Sequence, residues 1–190
     1  MQDDFDADVP LDREEEAARH VDEQSAHDAD PTGAVLFNTQ LRSLNPRPPL
    51  SVAPGATVAE ACATMRENKV GCVLVVDGED LVGIFTERDV LYKLTCGAES
   101  GHDPKTVKIE ELMTPNPTCL RPGHSLANAL NKMTLDGCRH IPLVNRKGKP
   151  VGVVSVRRIV DFLVDTFAEE LQTLPPDPDQ EEQMSRPEGG

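Results

Sequence analysis

The chain has 190 residues, 38% of them apolar, which suffices for one ordinary domain or two very small ones. Its formal charge of −14 sits at the two ends: residues 1–30 carry twelve acids against Arg13 and Arg19, residues 175–190 carry five against Arg186, and the stretch between is balanced, sixteen against sixteen. A net negative chain with one Tyr, no Trp and no basic run excludes a phosphate backbone as partner, and no apolar stretch approaches the ~20 residues that span a bilayer.

In chain order, the acidic tail 1–31 cannot bury enough surface to offset the entropy of ordering and is expected to be disordered, with at most a transient helix from Glu14 to Val21. Thr57-Val-Ala-Glu60 then has the form of a helix-starting capping box, followed by apolar residues at helical spacing through Met65. Two β-branched runs, Cys72 to Val76 and Leu81 to Phe85, flank the turn Asp77-Gly78-Glu79-Asp80 and predict a hairpin-like pair of strands. A second helix is predicted from Glu87 to Leu94.

After a connecting segment at 97–111 the same order recurs. An offset of 68 residues places Pro54-Gly55 on Pro122-Gly123, Ala59 on Ala127, Ala61 on Ala129 and Met65 on Met133. Beyond Val76 and Val144 the second copy gains one turn residue, so that Gly83 falls on Gly152 and Thr86 on Ser155. Ser125 is the expected N-cap of the third helix, Ile141 to Val144 and Val151 to Val154 are strands about the turn Asn145 to Gly148, and a last helix runs from Arg157 to about Glu170. The fold class is α+β: two pseudo-symmetric repeats, at 32–96 and 112–172, each a small sheet with two helices. Each is too small to bury its apolar surface alone, so the two must pack as a pair. The tail 173–190, opening on Leu174-Pro-Pro-Asp-Pro178, reads as an extended stop and solvated acidic end.

Five cysteines at 62, 72, 96, 119 and 138 include no C-x-x-C pair, and no signal peptide is expected. The expectation is a cytoplasmic protein whose thiols are reduced and pack as small hydrophobes. No pair of histidines has metal-ligand spacing, and no nucleophile elbow, P-loop or dinucleotide fingerprint is present, so neither a metal, a cofactor nor an enzymatic activity is expected.

Two segments, Gly83-Ile-Phe-Thr-Glu-Arg-Asp89 and Gly152-Val-Val-Ser-Val-Arg-Arg158, fit the pattern G-h-x-[TS]-x-x-[DN], where h is apolar, the second departing from it at its last position. Glu111-Leu-Met-Thr-Pro115 precedes the second copy. Over residues 41 to 170 the chain therefore resembles the CBS domain family, as a tandem pair (a Bateman module) of the stand-alone bacterial type. The resemblance implies two ligand clefts related by a pseudo-twofold axis and a homodimer of such pairs. It implies a non-catalytic regulatory module that binds an adenine nucleotide, AMP, ADP or ATP, and signals to an unidentified protein partner in trans. A ligand-free structural dimerisation module and an S-adenosylmethionine sensor are the alternatives.

Mapped onto this chain, the resemblance puts Asp89 on the ribose hydroxyls and Thr86 on a nearby ribose or phosphate oxygen, beside Ile84 and Phe85. Arg139 and His140, within Cys138-Arg-His-Ile141-Pro142, would face the phosphates, with Thr118 and Leu120 beside the adenine. In the second cleft Ser155 is kept, but Arg158 replaces the carboxylate, and the facing positions, Gly71 and Cys72 with Leu50 and Val73 nearby, carry no charge. Arg158 can donate but cannot accept a ribose hydroxyl, so this cleft is expected to be degenerate, either without ligand or holding an anion.

Overall fold

The computed structural model describes residues 31–95 and 102–168. The two acidic tails, the transient helix at 14–21, Cys96 and the end of the last predicted helix at 169–170 lie outside them.

The first repeat comprises β1 (Ser51–Val52), α2 (Val58–Asn68), β2 (Cys72–Asp77), β3 (Asp80–Thr86) and a helical run that begins as α3 (Glu87–Asp89) and continues with wider turns over Val90–Thr95; a helix, α1 (Pro31–Asn38), and a 3₁₀ turn (Leu41–Leu44) precede it. The second follows a short helix, α4 (Ile109–Leu112), and a two-residue strand, β4 (Thr114–Pro115), and comprises α5 (Leu126–Asp136), β5 (His140–Val144), β6 (Pro150–Ser155) and α6 (Val156–Thr166). The capping expectations are met: the Thr57 hydroxyl accepts from the Glu60 amide while Glu60 accepts from the Thr57 amide, and the Ser125 hydroxyl accepts from the Asn128 amide.

Both hairpins pair antiparallel, each with a register shift before its turn, at Val75/Val76 and Leu143/Val144. Gly78 and Gly148 turn them with φ of 61° and 79°, in the left-handed region that a side chain disfavours. The repeat symmetry extends to short pairings that the sequence did not reveal. β1 runs parallel to β2 with Val52 opposite Val75, and at the same offset of 68 Leu120 bridges Leu143 in parallel.

The segment that precedes each repeat completes the other one. β4 adds to β3 of the first repeat, with Gly83 opposite Pro115, while Arg47 bridges Val153 of the second. Leu41 and Leu44 are buried with Leu126, Ile141, Leu143 and Ile159 in the second core, and Ile109 and Leu112 with Val58, Val73, Val75 and Phe85 in the first. Backbone bonds reinforce the exchange, from the Val58 amide to the Val107 carbonyl and from the Leu126 amide to the Thr39 carbonyl. A third, smaller cluster joins Cys72, Leu74 and Ile84 of the first repeat to Val153 of the second.

Two consequences are testable. Leu41→Ala and Ile109→Ala each remove a fully buried side chain, with an expected loss of about 2–5 kcal/mol in urea unfolding followed by circular dichroism. Because the cores are interlocked, each variant should still unfold in one transition; separate melting of the two repeats would contradict the exchange. At Gly83 an added Cβ would overlap the Met113 sulfur and approach the Thr114 carbonyl oxygen at 3.2 Å, whereas at Gly152 its nearest neighbour is Pro46 Cβ at 3.1 Å. Gly83→Ala should therefore destabilise by about 1–3 kcal/mol and Gly152→Ala by less, as thermal denaturation would report.

Candidate functional site: a cleft between the repeats

The hairpins and the helix starts that follow them face one another across a single cleft of about 1080 Å³. This exceeds the ~1,000 Å³ upper range for one small-ligand pocket, and its wall takes in residues of both clefts that the resemblance implied. Thr86, Asp89 and Ile84 of the first repeat and Thr118, Cys138, Arg139 and His140 of the second line it. Leu50, Gly71, Cys72, Ser155 and Arg158, assigned from sequence to the degenerate side, line it too.

The remaining candidates are not on its wall. Phe85 and Val73 are packed in the first core and Leu120 and Ile141 in the second, and Pro142 is buried within β5. Strand alternation accounts for Phe85, Val73 and Ile141: Ile84, Cys72 and His140 reach the cleft, so the residue after each points to the opposite face of its sheet.

Thr86 ends β3 and caps α3. Its hydroxyl accepts from the Asp89 amide at 3.3 Å, while Asp89 Oδ2 accepts from the Thr86 amide at 2.9 Å and from the Thr86 hydroxyl at 2.7 Å. Asp89 Oδ1 lies 3.0 Å from Lys93 Nζ, one turn on, and Lys93 in turn donates to the Leu112 carbonyl at 2.7 Å. A carboxylate offers about four acceptor positions, and three are engaged, so Asp89 can take one further hydroxyl without displacing a partner, where the sequence suggested two. With its side chain only 12% exposed it is held in one orientation.

The pseudo-equivalent of Asp89 performs a related task with opposite charge. Arg158 Nε donates to the Leu44 carbonyl at 2.9 Å, and Leu44 corresponds to Leu112 at the offset of 68. Both helices thus hold the end of the exchanged turn beneath them, one through the Asp89–Lys93 pair and the other through a single Arg.

His140 starts β5 opposite Ser155. A Cβ added to Gly71 would come within 3.2 Å of its ring and 3.3 Å of the Glu87 carboxylate, so glycine here lets the first repeat close on the second. Burial, aided by the Arg139 charge, holds the His140 imidazole below its ordinary pKa, against an opposing pull from Glu87. Burial, with Glu87, pushes the Cys72 thiol up to about 12, and burial raises Cys62, Cys119 and Cys138, all free, so these groups stay protonated at neutral pH.

Sequence reasoning missed Arg47, Lys69, Glu87, Arg88 and Arg157, which also line the cleft. Glu87, Arg88 and Arg157 occupy unspecified positions of the recurring motif, and Lys69 is the left-handed C-cap of α2. Together with Arg139 and Arg158 they give the wall six cations against the four carboxylates Glu87, Asp89, Asp136 and Asp161, an excess that favours an anionic guest in an acidic chain. Among the described residues no cluster of three His, Cys, Asp or Glu could hold a metal ion, and no helix is long and apolar enough to cross a membrane.

Comparison with known proteins agrees with this architecture. The chain is 34% identical over 115 residues to a 17.7 kDa protein of Acidianus ambivalens, a stretch that covers 60% of this chain and 66%, under two thirds, of that relative. A protein with CBS domains from Burkholderia ambifaria superposes with a TM-score of 0.62 at 28% identity, covering 73% of this chain and all of the other. A CBS domain protein from Pyrobaculum aerophilum, solved in complex with AMP, superposes with a TM-score of 0.57 at 25% identity, over 63% of this chain and 89% of the other. The CBS domain model matches residues 41–95 and 109–165, one match per repeat, and the chain belongs to the CBS domain family.

Proposed function

We propose that the chain is a non-catalytic regulatory module that binds an adenine nucleotide of the AMP, ADP or ATP class between its repeats and passes that state to a protein partner in trans. The observation that carries the reading is the shared wall: the Thr86–Asp89 pair of one repeat and Arg139 with His140 of the other line the same cleft. Asp89, aligned by Thr86 and Lys93, accepts a ribose hydroxyl; Arg139, exposed and paired with no carboxylate among the described residues, meets a phosphate oxygen through a charge-assisted bond. The AMP complex of the Pyrobaculum aerophilum protein supports the ligand class.

A ligand that touches both repeats favours arrangements in which they are close, and that differential affinity is the only means by which it can shift the module. The helices that follow the two hairpins carry a candidate dimer contact. Leu91 and Val160, which correspond at the offset of 69, are 54% and 48% exposed, with Tyr92 and Val164 also exposed nearby in sequence. We assign this apolar surface to a homodimer.

The rival reading, a structural dimerisation module without ligand, also has an observation in its favour, since the capping box and the Lys93 pair give Asp89 a purely structural occupation. Thermal-shift titration separates the two. AMP, ADP or ATP at about 100 Kd should add roughly 2.7 kcal/mol of stability. Asp89→Ala should lose that increment, besides about 1 kcal/mol of basal stability from the broken cap. Absence of any increment with all three nucleotides, or its persistence in Asp89→Ala, would leave the structural reading.

His140 gives a second readout. With its pKa depressed in the folded state, its NMR titration midpoint should lie below 6.5, and the stability that comes from keeping it neutral should be present above that pH and fade as the pH falls through the folded midpoint. AMP should raise the midpoint and adenosine should not; an equal effect of the two would place the phosphate elsewhere.

A further inference from the structure

We propose that Arg88 is an exchangeable tie across the cleft, a guanidinium that trades a protein carbonyl for an oxygen of the ligand's phosphate, so that binding releases a contact between the repeats. The inference rests on the adenine nucleotide reading of the same cleft and adds a residue and a regulatory step to it.

Arg88 lies between Thr86 and Asp89 at the start of α3. Its Nη1 donates to the Gly137 carbonyl at 2.9 Å, 49 residues away in the second repeat. Gly137 is the left-handed C-cap of α5, φ 61°, and leads directly into Cys138, Arg139 and His140 on the cleft wall. The Tyr92 ring, one turn along from Arg88, lies 5.5 Å from the guanidinium carbon and steers it toward the second repeat. Arg88 itself lines the cleft and pairs with no carboxylate among the described residues, although Glu87 and Asp136 are on the same wall.

The tie is one-sided. At the offset of 69 Arg88 corresponds to Arg157, and at the offset of 68 Gly137 corresponds to Lys69, which is likewise a left-handed C-cap. Among the described residues Arg157 makes no bond to the Lys69 carbonyl, so the bridge occurs only on the side that also holds Asp89, Arg139 and His140.

Energetics decide which acceptor prevails. A guanidinium has five N–H groups, and one is committed to Gly137. The bond from the guanidinium to the neutral Gly137 carbonyl is exposed and charged on one side only, whereas a bidentate bond to phosphate is charged on both sides, stronger and better matched in shape. A phosphate that is held by Arg139 and grips Arg88 on the edge carrying Nη1 therefore takes the guanidinium from Gly137. The turn 136–139 loses its protein tie and gains one through the ligand, and a nucleoside without phosphate leaves it untouched.

The test is an NMR titration of the full chain, which reads into the millimolar range, with AMP and with adenosine, on the wild type, Arg88→Met and Arg88→Lys. Expected are an AMP affinity at least tenfold weaker in the Met variant, partial retention in the Lys variant, adenosine binding within twofold throughout, and a shift of the Gly137 and Cys138 amides that AMP causes and adenosine does not. An unchanged AMP affinity in the Met variant, or equal weakening of AMP and adenosine, overturns the exchange and leaves the nucleotide site standing. A wild type that binds neither compound overturns both.

Discussion

Each repeat lacks the last part of its own core, and the segment that precedes the other repeat supplies it. Leu41 and Leu44 close the second core and Ile109 and Leu112 the first, all within 2% of full burial. A unit of about 60 residues cannot bury enough apolar surface to offset the entropy of folding alone, and the exchange solves this for both units at once. It also sets the geometry of everything else. With the two turns pinned in opposite cores, the hairpins have to face each other, and the cleft between them follows.

On that frame the two halves have diverged in charge while keeping one mechanical task. At pseudo-equivalent positions, Asp89 with Lys93 and Arg158 alone each secure the carbonyl end of an exchanged turn, at Leu112 and at Leu44. The first solution leaves a carboxylate on the cleft wall and the second leaves a guanidinium, so a symmetric scaffold presents an asymmetric wall. The same divergence appears where Cys72 faces the cleft in one half and His140 in the other, and where Arg88 reaches the second repeat but Arg157 makes no matching bond to the first. A structural duty does not remove a residue from binding: a carboxylate fixed by a cap and an ion pair is already oriented, and orienting it costs a ligand nothing further. The same engagement narrows what Asp89 can accept, from two hydroxyls to one.

The repeat, the four helix and strand pairs, both N-caps and the family were legible because each is a local or periodic property. Thr57 and Glu60 cap a helix by their own contacts, the dense β-branched run Cys72 to Val76 marks a strand, and the offset of 68 marks the duplication. The elements that escaped were the eight-residue α1 and four shorter ones, β1, β4, the 3₁₀ turn at Leu41 and α4, of two to four residues each. Segments so short have no periodicity of their own and take their conformation from partners tens of residues away. The candidate site divided in the same way. Thr86, Asp89, Arg139 and His140 could be named from motif position, whereas Phe85, Val73, Ile141 and Pro142, included as their neighbours, and Leu120, expected beside the adenine, fall in the interior.

By itself the sequence determined that this chain is a duplicated α+β unit with a balanced core and acidic ends, since composition, capping and repeat spacing are written along one dimension. Only the tertiary structure decided that residues of both expected clefts line one wall, that Arg158 spends a donor on the Leu44 carbonyl, and that Arg88 reaches Gly137. Those outcomes depend on which side chains the interlocked cores bring within about 3 Å of one another, and no spacing along a chain encodes a distance across it.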